Sequence, residues 1–458
     1  MESTAKVPPS IASDLRALLQ APRELWIVFL ATFFEYLGVY SFLSTLTLWL
    51  SSDHHFDDKA AGWWAATFST LLTLVVFLVG SIADAIGVRR TLIISFALSA
   101  ITRLAMFLAP SPTMAIVALL AFGFAFATSS PVLQAAVQRA STKRTRAFAF
   151  SLWYVSLNLA GFIVGPFIID PVRHRFLGAD GKLAAHVVHV PGWGDHMMTA
   201  NGVIMGTGFF FAVLALVVTL TLRKNFEARV DPEDDPAPVK KTSALVALRE
   251  VVSDRTFWRF IVLLALLSLV RMMFQHMHFT WPKYVTREQG DAFPVGTVWS
   301  YNSLLILFLA PLATLLTRHR KPFEVLVFGA FISAVSPFVL CFGSTWGLQV
   351  TMIVVLTIGE ALWSPRLYEY NVSIAPRGRE ATYVSLASLP FFLAKFLVGP
   401  TSGYLLATFC PETGPRRSWI MWLIIGISTL VGPTSIWFAR KWIAKEEPEV
   451  APVRTNAV

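Results

Sequence analysis

Twelve apolar stretches, each about the length needed to cross a bilayer, constrain this chain more than any single residue in it. They run Leu25–Leu50, Ala60–Ala83, Thr91–Leu108, Met114–Ala136, Phe148–Ile169 and Met198–Leu222. A second set follows at Phe257–Trp281, Phe293–Thr317, Phe323–Phe342, Trp346–Tyr370, Thr382–Thr408 and Ser418–Ala439. About 20 apolar residues span a hydrocarbon core of about 30 Å as a helix. Lipid offers the backbone no water to bond, so such stretches must satisfy their own N–H and C=O groups helically. Only 14% of the 458 residues are charged, against about 25% in a soluble domain. The sequence therefore predicts an all-α integral membrane protein, with twelve transmembrane helices in two six-helix bundles.

Residues 223–255 separate the two sets. Their Val230–Pro238 segment is charged and proline-rich and cannot be a span, so it reads as a flexible linker. The expected organisation is a segment 1–24, a bundle 25–222, the linker 223–255, a second bundle 256–440 and a tail 441–458. Lysine and arginine gather on one side: Arg89 and Arg90, Arg139 to Arg146, Arg223 and Lys224, Arg318 to Lys321, Arg377 and Arg379, Arg440 and Lys441. The opposite loop Ser51–Lys59 is acidic, with Asp53, Asp57 and Asp58. The positive-inside rule then puts both termini and the linker in the cytoplasm, with the plasma or inner membrane as the host. The same bias accounts for the formal net charge of +10. No basic run is interleaved with aromatics as a nucleic-acid surface would require.

Residues 1–24 lack the pattern of a cleaved signal, and Ile11–Gln20 reads as a short amphipathic helix on the cytoplasmic surface. The long outer loop Asp170–His196 holds His174, His186 and His189 without metal spacing and reads as solvated. Cys341 and Cys410 likewise show no metal spacing.

A charge inside a span is costly and must face protein or water. Counting about 1.5 Å per residue, Glu35, Arg271, Glu360 and Lys395 fall near mid-depth. They come from both halves, which points to a polar cavity between bundles. Glu35 has two readings: a cavity carboxylate that takes up and releases a proton, or one held permanently in an ion pair. Glu360 has the same two, and an acid in a cavity can also hold a substrate amine. Arg271, Gln275 and His278 are spaced i, i+4, i+7 and share one helix face, as a cavity lining or an interhelical seam; His276 lies on another face. Arg366 and Glu369, after Pro365, are close enough to neutralise one another. Arg103 lies nearer an outer end, where its stem can snorkel. Lys395 either binds a carboxylate or repels protons from the acids.

No Gly-x-Ser-x-Gly, His-Glu-x-x-His or Walker pattern is present. The chain is expected to have no catalytic residues, no cofactor and no metal, and any active transport should run on an ion gradient.

The loop Gly80-Ser-Ile-Ala-Asp84-Ala-Ile-Gly87-Val-Arg89-Arg90 resembles the G-x-x-x-D-x-x-G-x-R-R gating signature of the major facilitator superfamily. Other segments look like its proton-dependent oligopeptide transporter (POT/PTR) branch. Phe33-Phe34-Glu35 followed by Tyr40 resembles E-x-x-E-R-F-x-Y-Y-G, and Trp153-Tyr154-Val-Ser-Leu-Asn158-Leu-Ala-Gly161 is similar to F-Y-x-x-I-N-x-G. Asn302 to Pro311 resembles N-P-x-x-I-x-x-x-A-P, and Gly359-Glu360 with Ser364-Pro365 and Ala375-Pro376 matches the tenth-span motif. The resemblance implies a major facilitator fold, with proton coupling at Glu35; Glu360 joins it as an expected proton-coupling residue through its own reading as a cavity acid. The resemblance also implies substrate contact at Tyr40, Tyr154, Asn158, Asn302 and Glu360. Two family cations are replaced: Tyr36 stands at the arginine of E-x-x-E-R, and Thr128-Ser-Ser-Pro131 lacks the fourth-span lysine.

Tyr36, Arg271, Gln275, His278 and Lys395 complete the expected substrate-binding set. The expected function is proton-coupled symport of small peptides or amino-acid-like solutes by alternating access. The alternatives are a POT-related carrier or uniporter for another organic ion, and a non-transporting membrane sensor. The expected partners are a small-molecule substrate (peptide or organic ion), protons and the lipid bilayer, with no nucleic acid, the chain acting as a monomer.

Overall fold

The computed structural model describes residues 21–142, 145–190, 194–224, 255–374 and 389–443. The linker, Ile11–Gln20 and Ala375-Pro376 lie outside them or nearly so. The helices, in chain order, are α1 (Arg23–Leu48), α2 (Asp58–Ile86), α3 (Val88–Phe107), α4 (Pro112–Arg139), α5 (Arg146–Val164), α6 (Asp170–Arg175) and α7 (Ala200–Leu220). They continue as α8 (Arg255–Phe279), α9 (Trp281–Gln289), α10 (Val295–Leu316), α11 (Pro322–Val335), α12 (Trp346–Ile374), α13 (Leu389–Phe409) and α14 (Ser418–Ile443). Ten helical segments among the described residues are long and apolar enough to cross a membrane. Helices α2 and α13 stand where the second and eleventh stretches were expected. The helix starts follow local chemistry. Ser111 caps α4 by accepting from Met114 N–H, with Pro112 at the first turn. Gly87, at φ 87°, breaks α2 from α3 at a conformation few other residues tolerate.

Three local features depart from the sequence reading. Helix α1 ends in a π-turn, Trp49–Asp53, and α5 runs through another, Gly165–Ile169, into α6. The long loop is not plain coil: His186–Val190 (β1) pairs antiparallel with Gly194–Met198 (β2). The valines at 187, 188 and 190 supply the β-preference that the Gly and Pro content of the loop concealed.

The chain packs as two compact units. One is drawn from Met1–Ala237, His276–Leu307 and Lys395–Ser418, the other from Pro238–Gln275, Phe308–Ala394 and Trp419–Val458. The core of the first includes Leu25, Val28, Phe96 and Leu133, all fully buried. Its outward faces carry large apolar side chains, with Ile101 and Phe167 65% and 67% exposed. Helices apolar all round are what lipid requires. Two hydroxyls inside α1 bond back to their own helix, Ser41 to the Leu37 carbonyl at 2.8 Å and Thr45 to the Ser41 carbonyl at 2.7 Å, which satisfies them without water.

In the second unit α11 and α12 approach almost backbone to backbone. A Cβ on Gly359 would collide with Ser333, and one on Gly329 would sit 2.7 Å from the Leu362 Cβ. Gly329 and Ser333 form the small-x-x-x-small pattern that lets membrane helices meet closely. We predict that Gly359→Leu destabilises the protein by at least the roughly 1–3 kcal/mol typical of overpacking. Thermal unfolding in detergent reads this, and an unchanged midpoint would show that the two helices can part at no cost.

Candidate functional site

The most constrained charges in the first unit are Glu35 on α1 and Arg103 on α3. Arg103 Nη2 donates to Glu35 Oε1 at 3.3 Å, and the two side chains are 1% and 0% exposed. Arg103 Nη1 donates to the Gly208 carbonyl of α7 at 2.9 Å, and the guanidinium lies 4.7 Å from the centre of the Phe122 ring on α4. Four helices thus hold one cation. Gly38, one turn beyond Glu35, makes room for it, because a Cβ there would collide with Arg103. Glu35 Oε2 and Arg103 Nε find no hydrogen-bond partner among the described residues. Arg103 therefore does not snorkel, and Glu35 is not a lone carboxylate. A long stem that could reach an interface instead turns inward, because an anion and a helix carbonyl offer more than water at the span's end. Taking two charges out of water is expensive, and breaking such a pair costs more than replacing it.

An aromatic wall follows on α1. Tyr36 hydrogen-bonds Ser130 at 3.2 Å and packs against Tyr40 and Phe126, with ring centres 5.7 and 6.1 Å away. Tyr40 meets Trp299 at 5.4 Å, and His278 meets the same indole at 5.5 Å. Gly161 on α5 stands against Ser303 and the Tyr40 ring. Sequence reasoning missed Trp299, Phe126 and Ser130; only the helical spacing of Tyr36 and Tyr40 hinted at a shared face. Tyr154 is 40% exposed. Asn158 is buried, its amide donating to the Tyr154 carbonyl at 2.9 Å within its own helix. Asn302 and Lys395, in the same unit, are half-buried. His276 is buried apart from His278 and bonds Thr280, which donates to Ser402.

In the second unit, Arg271 lies 5.9 Å from the centre of the Trp363 ring, whose Nε1 donates to Ser333 at 3.2 Å. Helix α8 is unbroken from Arg271 to His278. Gln275 and Glu360 are half-buried. Arg366 donates to Thr317 at 3.0 Å; the side chain of its expected partner Glu369 lies outside the described residues. Of the gating signature, the Asp84 side chain also lies outside them. Arg89 donates to the Leu222 and Leu220 carbonyls at 2.8 and 3.1 Å, a cation at the end of α7 where the helix dipole is negative. Arg90 is exposed.

At the other end of the first unit, segments from before and after the linker lock together. Arg287 on α9 donates to both oxygens of Asp58 at 2.8 and 2.9 Å, and Lys283 Nζ lies 3.0 Å from Asp58 Oδ1. Just before its span, Asp58 is pushed up by burial, but the two cations outweigh this and hold it below the ordinary carboxylate value. Beside it, Gly62 meets the Gly399 carbonyl, and Gly403 meets the Asp58 carbonyl, with no room for a Cβ. Asp170 accepts from the Gly296 and Thr297 amides at 2.8 and 2.7 Å, capping α10.

The profile of the Major Facilitator Superfamily matches residues 28–400. No curated protein matches the chain. Among solved structures, it is similar to a POT family transporter in complex with 5-aminolevulinic acid, with a TM-score of 0.71 at 16% identity over 92% of this chain and 97% of that one. It is also similar to tetrameric PepTSo2, at 0.69 and 12% over 92% and 98%. A mutant nucleoside transporter matches at 0.69 and 13% over 91% and 99%. With a profile match across most of its length and helices at all twelve expected positions, this chain belongs to the Major Facilitator Superfamily.

Proposed function

We propose that this multi-pass membrane protein is a proton-coupled symporter of small peptides or amino-acid-like solutes, working by alternating access. The observation that carries the reading is the Glu35–Arg103 pair, sealed from solvent and with one carboxylate oxygen unsatisfied. Proton uptake by Glu35 would release Arg103 and loosen α1 from α3, α4 and α7, tying protonation to helix movement. Tyr36, Tyr40, Tyr154, His278, Asn302 and Lys395 are the substrate-contact residues of the first unit in this proposal, and Arg271, Gln275 and Glu360 are those of the second. Both termini lie in the cytoplasm in this reading, and the end locked by Asp58 faces outward.

A second reading, transport of another organic ion, has a specific observation in its favour. Tyr36 occupies the position of the family arginine and spends its hydroxyl on Ser130, so the wall that would receive a peptide carboxylate is aromatic. One structural neighbour is a nucleoside transporter.

Uptake into proteoliposomes under an imposed pH gradient, with a panel of di- and tripeptides, tests the proposal. Glu35→Gln is expected to abolish gradient-driven accumulation while exchange persists. If it accumulates substrate like the parent, Glu35 does not carry the proton. Gradient-driven uptake of organic ions but of no peptide would decide for the second reading.

A further inference from the structure

A cavity of about 600 Å³ opens at the end of the first unit where α1 runs out, within the roughly 300–1,000 Å³ range of small-molecule sites. None of the residues assigned above to transport lines it. Its walls are apolar: Trp49, only 1% exposed, with Leu104, Met106 and Phe107 from the end of α3. Ala109 and the exposed Met197 stand among its remaining lining residues.

Asp53, the last residue of the π-turn, also lines this cavity. Its oxygens each take a hydrogen bond from a neutral donor, the Thr199 hydroxyl and the Asn201 amide, the latter at 3.0 Å. The start of α7 offsets part of the charge, its Gly202 amide adding a hydrogen bond, and His55 and Arg173 act on the carboxylate from farther off; among the described residues no cation forms an ion pair with it. A carboxylate has about four lone-pair sites, so acceptor capacity remains. His54 packs edge-on to Trp49, with ring centres 4.6 Å apart, and burial holds it below its ordinary value. It is therefore neutral at pH 7 and does not complete the charge. His55, at the exposed edge, adopts φ 57°, which few non-glycine residues do.

We propose that this cavity is a binding site for a lipophilic organic cation: a protonated amine on an apolar or aromatic body. The ammonium bonds Asp53, and the body lies against Trp49 and Phe107, where ring faces also attract the charge. The site is separate from the transport face and would modulate the carrier rather than feed it.

Titration calorimetry on the purified full chain tests this, with 4-phenylbutylamine as the probe and 4-phenylbutanol as its uncharged analogue. The expected result is one saturable amine site, with at least tenfold weaker binding for the alcohol. Asp53→Asn should weaken amine binding at least tenfold and leave alcohol binding unchanged. Ala109→Phe, which fills the cavity and leaves the Asp53 bonds intact, should remove binding of both. This second variant decides the matter if Asp53→Asn fails to fold. Amine binding that persists unchanged in Ala109→Phe, or no saturable binding by the parent, would overturn the proposal.

Discussion

Arg103→Ala is expected to cost the fold about 3–5 kcal/mol, the range for breaking a buried ion pair, and to abolish gradient-driven uptake. The loss has three parts that act together. Glu35 is left as an uncompensated buried charge, the Gly208 carbonyl loses its donor, and the space beside Phe122 empties. The double variant Glu35→Leu, Arg103→Met separates stability from function. Replacing a buried pair by apolar groups of similar volume is often neutral, so this protein should unfold near the parent's midpoint and still fail to concentrate substrate. Thermal unfolding and proteoliposome uptake, measured on the same preparations, give both readouts. A single variant as stable as the parent would mean the pair does not brace the four helices. A double variant that accumulates substrate would remove the pair from coupling.

Asp58→Ala should open the end of the first unit that Lys283 and Arg287 now hold shut. Hydrogen bonds to charged groups contribute about 1.5–3 kcal/mol each. Loss of the shared carboxylate removes three such bonds, and even one of them shifts the closed-to-open ratio by roughly ten- to a hundredfold. It also strands two cations that are 3% and 11% exposed. Spin labels at exposed Asp57 and Gln289 would report longer separations in the variant, and a distribution matching the parent's would remove the latch. The parent should respond to acid in a defined direction. The Asp58 carboxyl lies below its unfolded value, so its stabilisation is complete above that ordinary value of about 3.9. It is lost only as pH falls through the still lower folded value. Closure should therefore persist unchanged from neutral pH to pH 5.

The membrane helices were legible because lipid allows few alternatives: each apolar stretch contains a helix, most with ends within a few residues of those expected, and the expected start of the eleventh lies outside the described residues. Partners across the bundle were not legible. Glu35 and Arg103 are 68 positions apart, and depth counted from span ends placed the arginine near an interface. Length of side chain decided otherwise, since a guanidinium can leave its own level to find an anion. The trace in the sequence was Gly38, a small residue beside the acid where a larger one would be expected in an apolar helix. The missing cation at Tyr36 was visible too, but not the wall formed there by Phe126 and Trp299, which come from distant helices. The hairpin at His186–Met198 was hidden because its valines sit among turn-forming residues.

The two π-turns, Trp49–Asp53 and Gly165–Ile169, have a consequence for how the chain is compared with others. Each wide turn holds an additional residue, which rotates everything beyond it by about 100° relative to an ideal α-helix. Asp53 and Asp170 both sit at the exits, and each reaches the start of another helix. An alignment that carries helical phase straight through these points will assign both aspartates to the wrong side. A gap of one position at each turn is what the geometry demands.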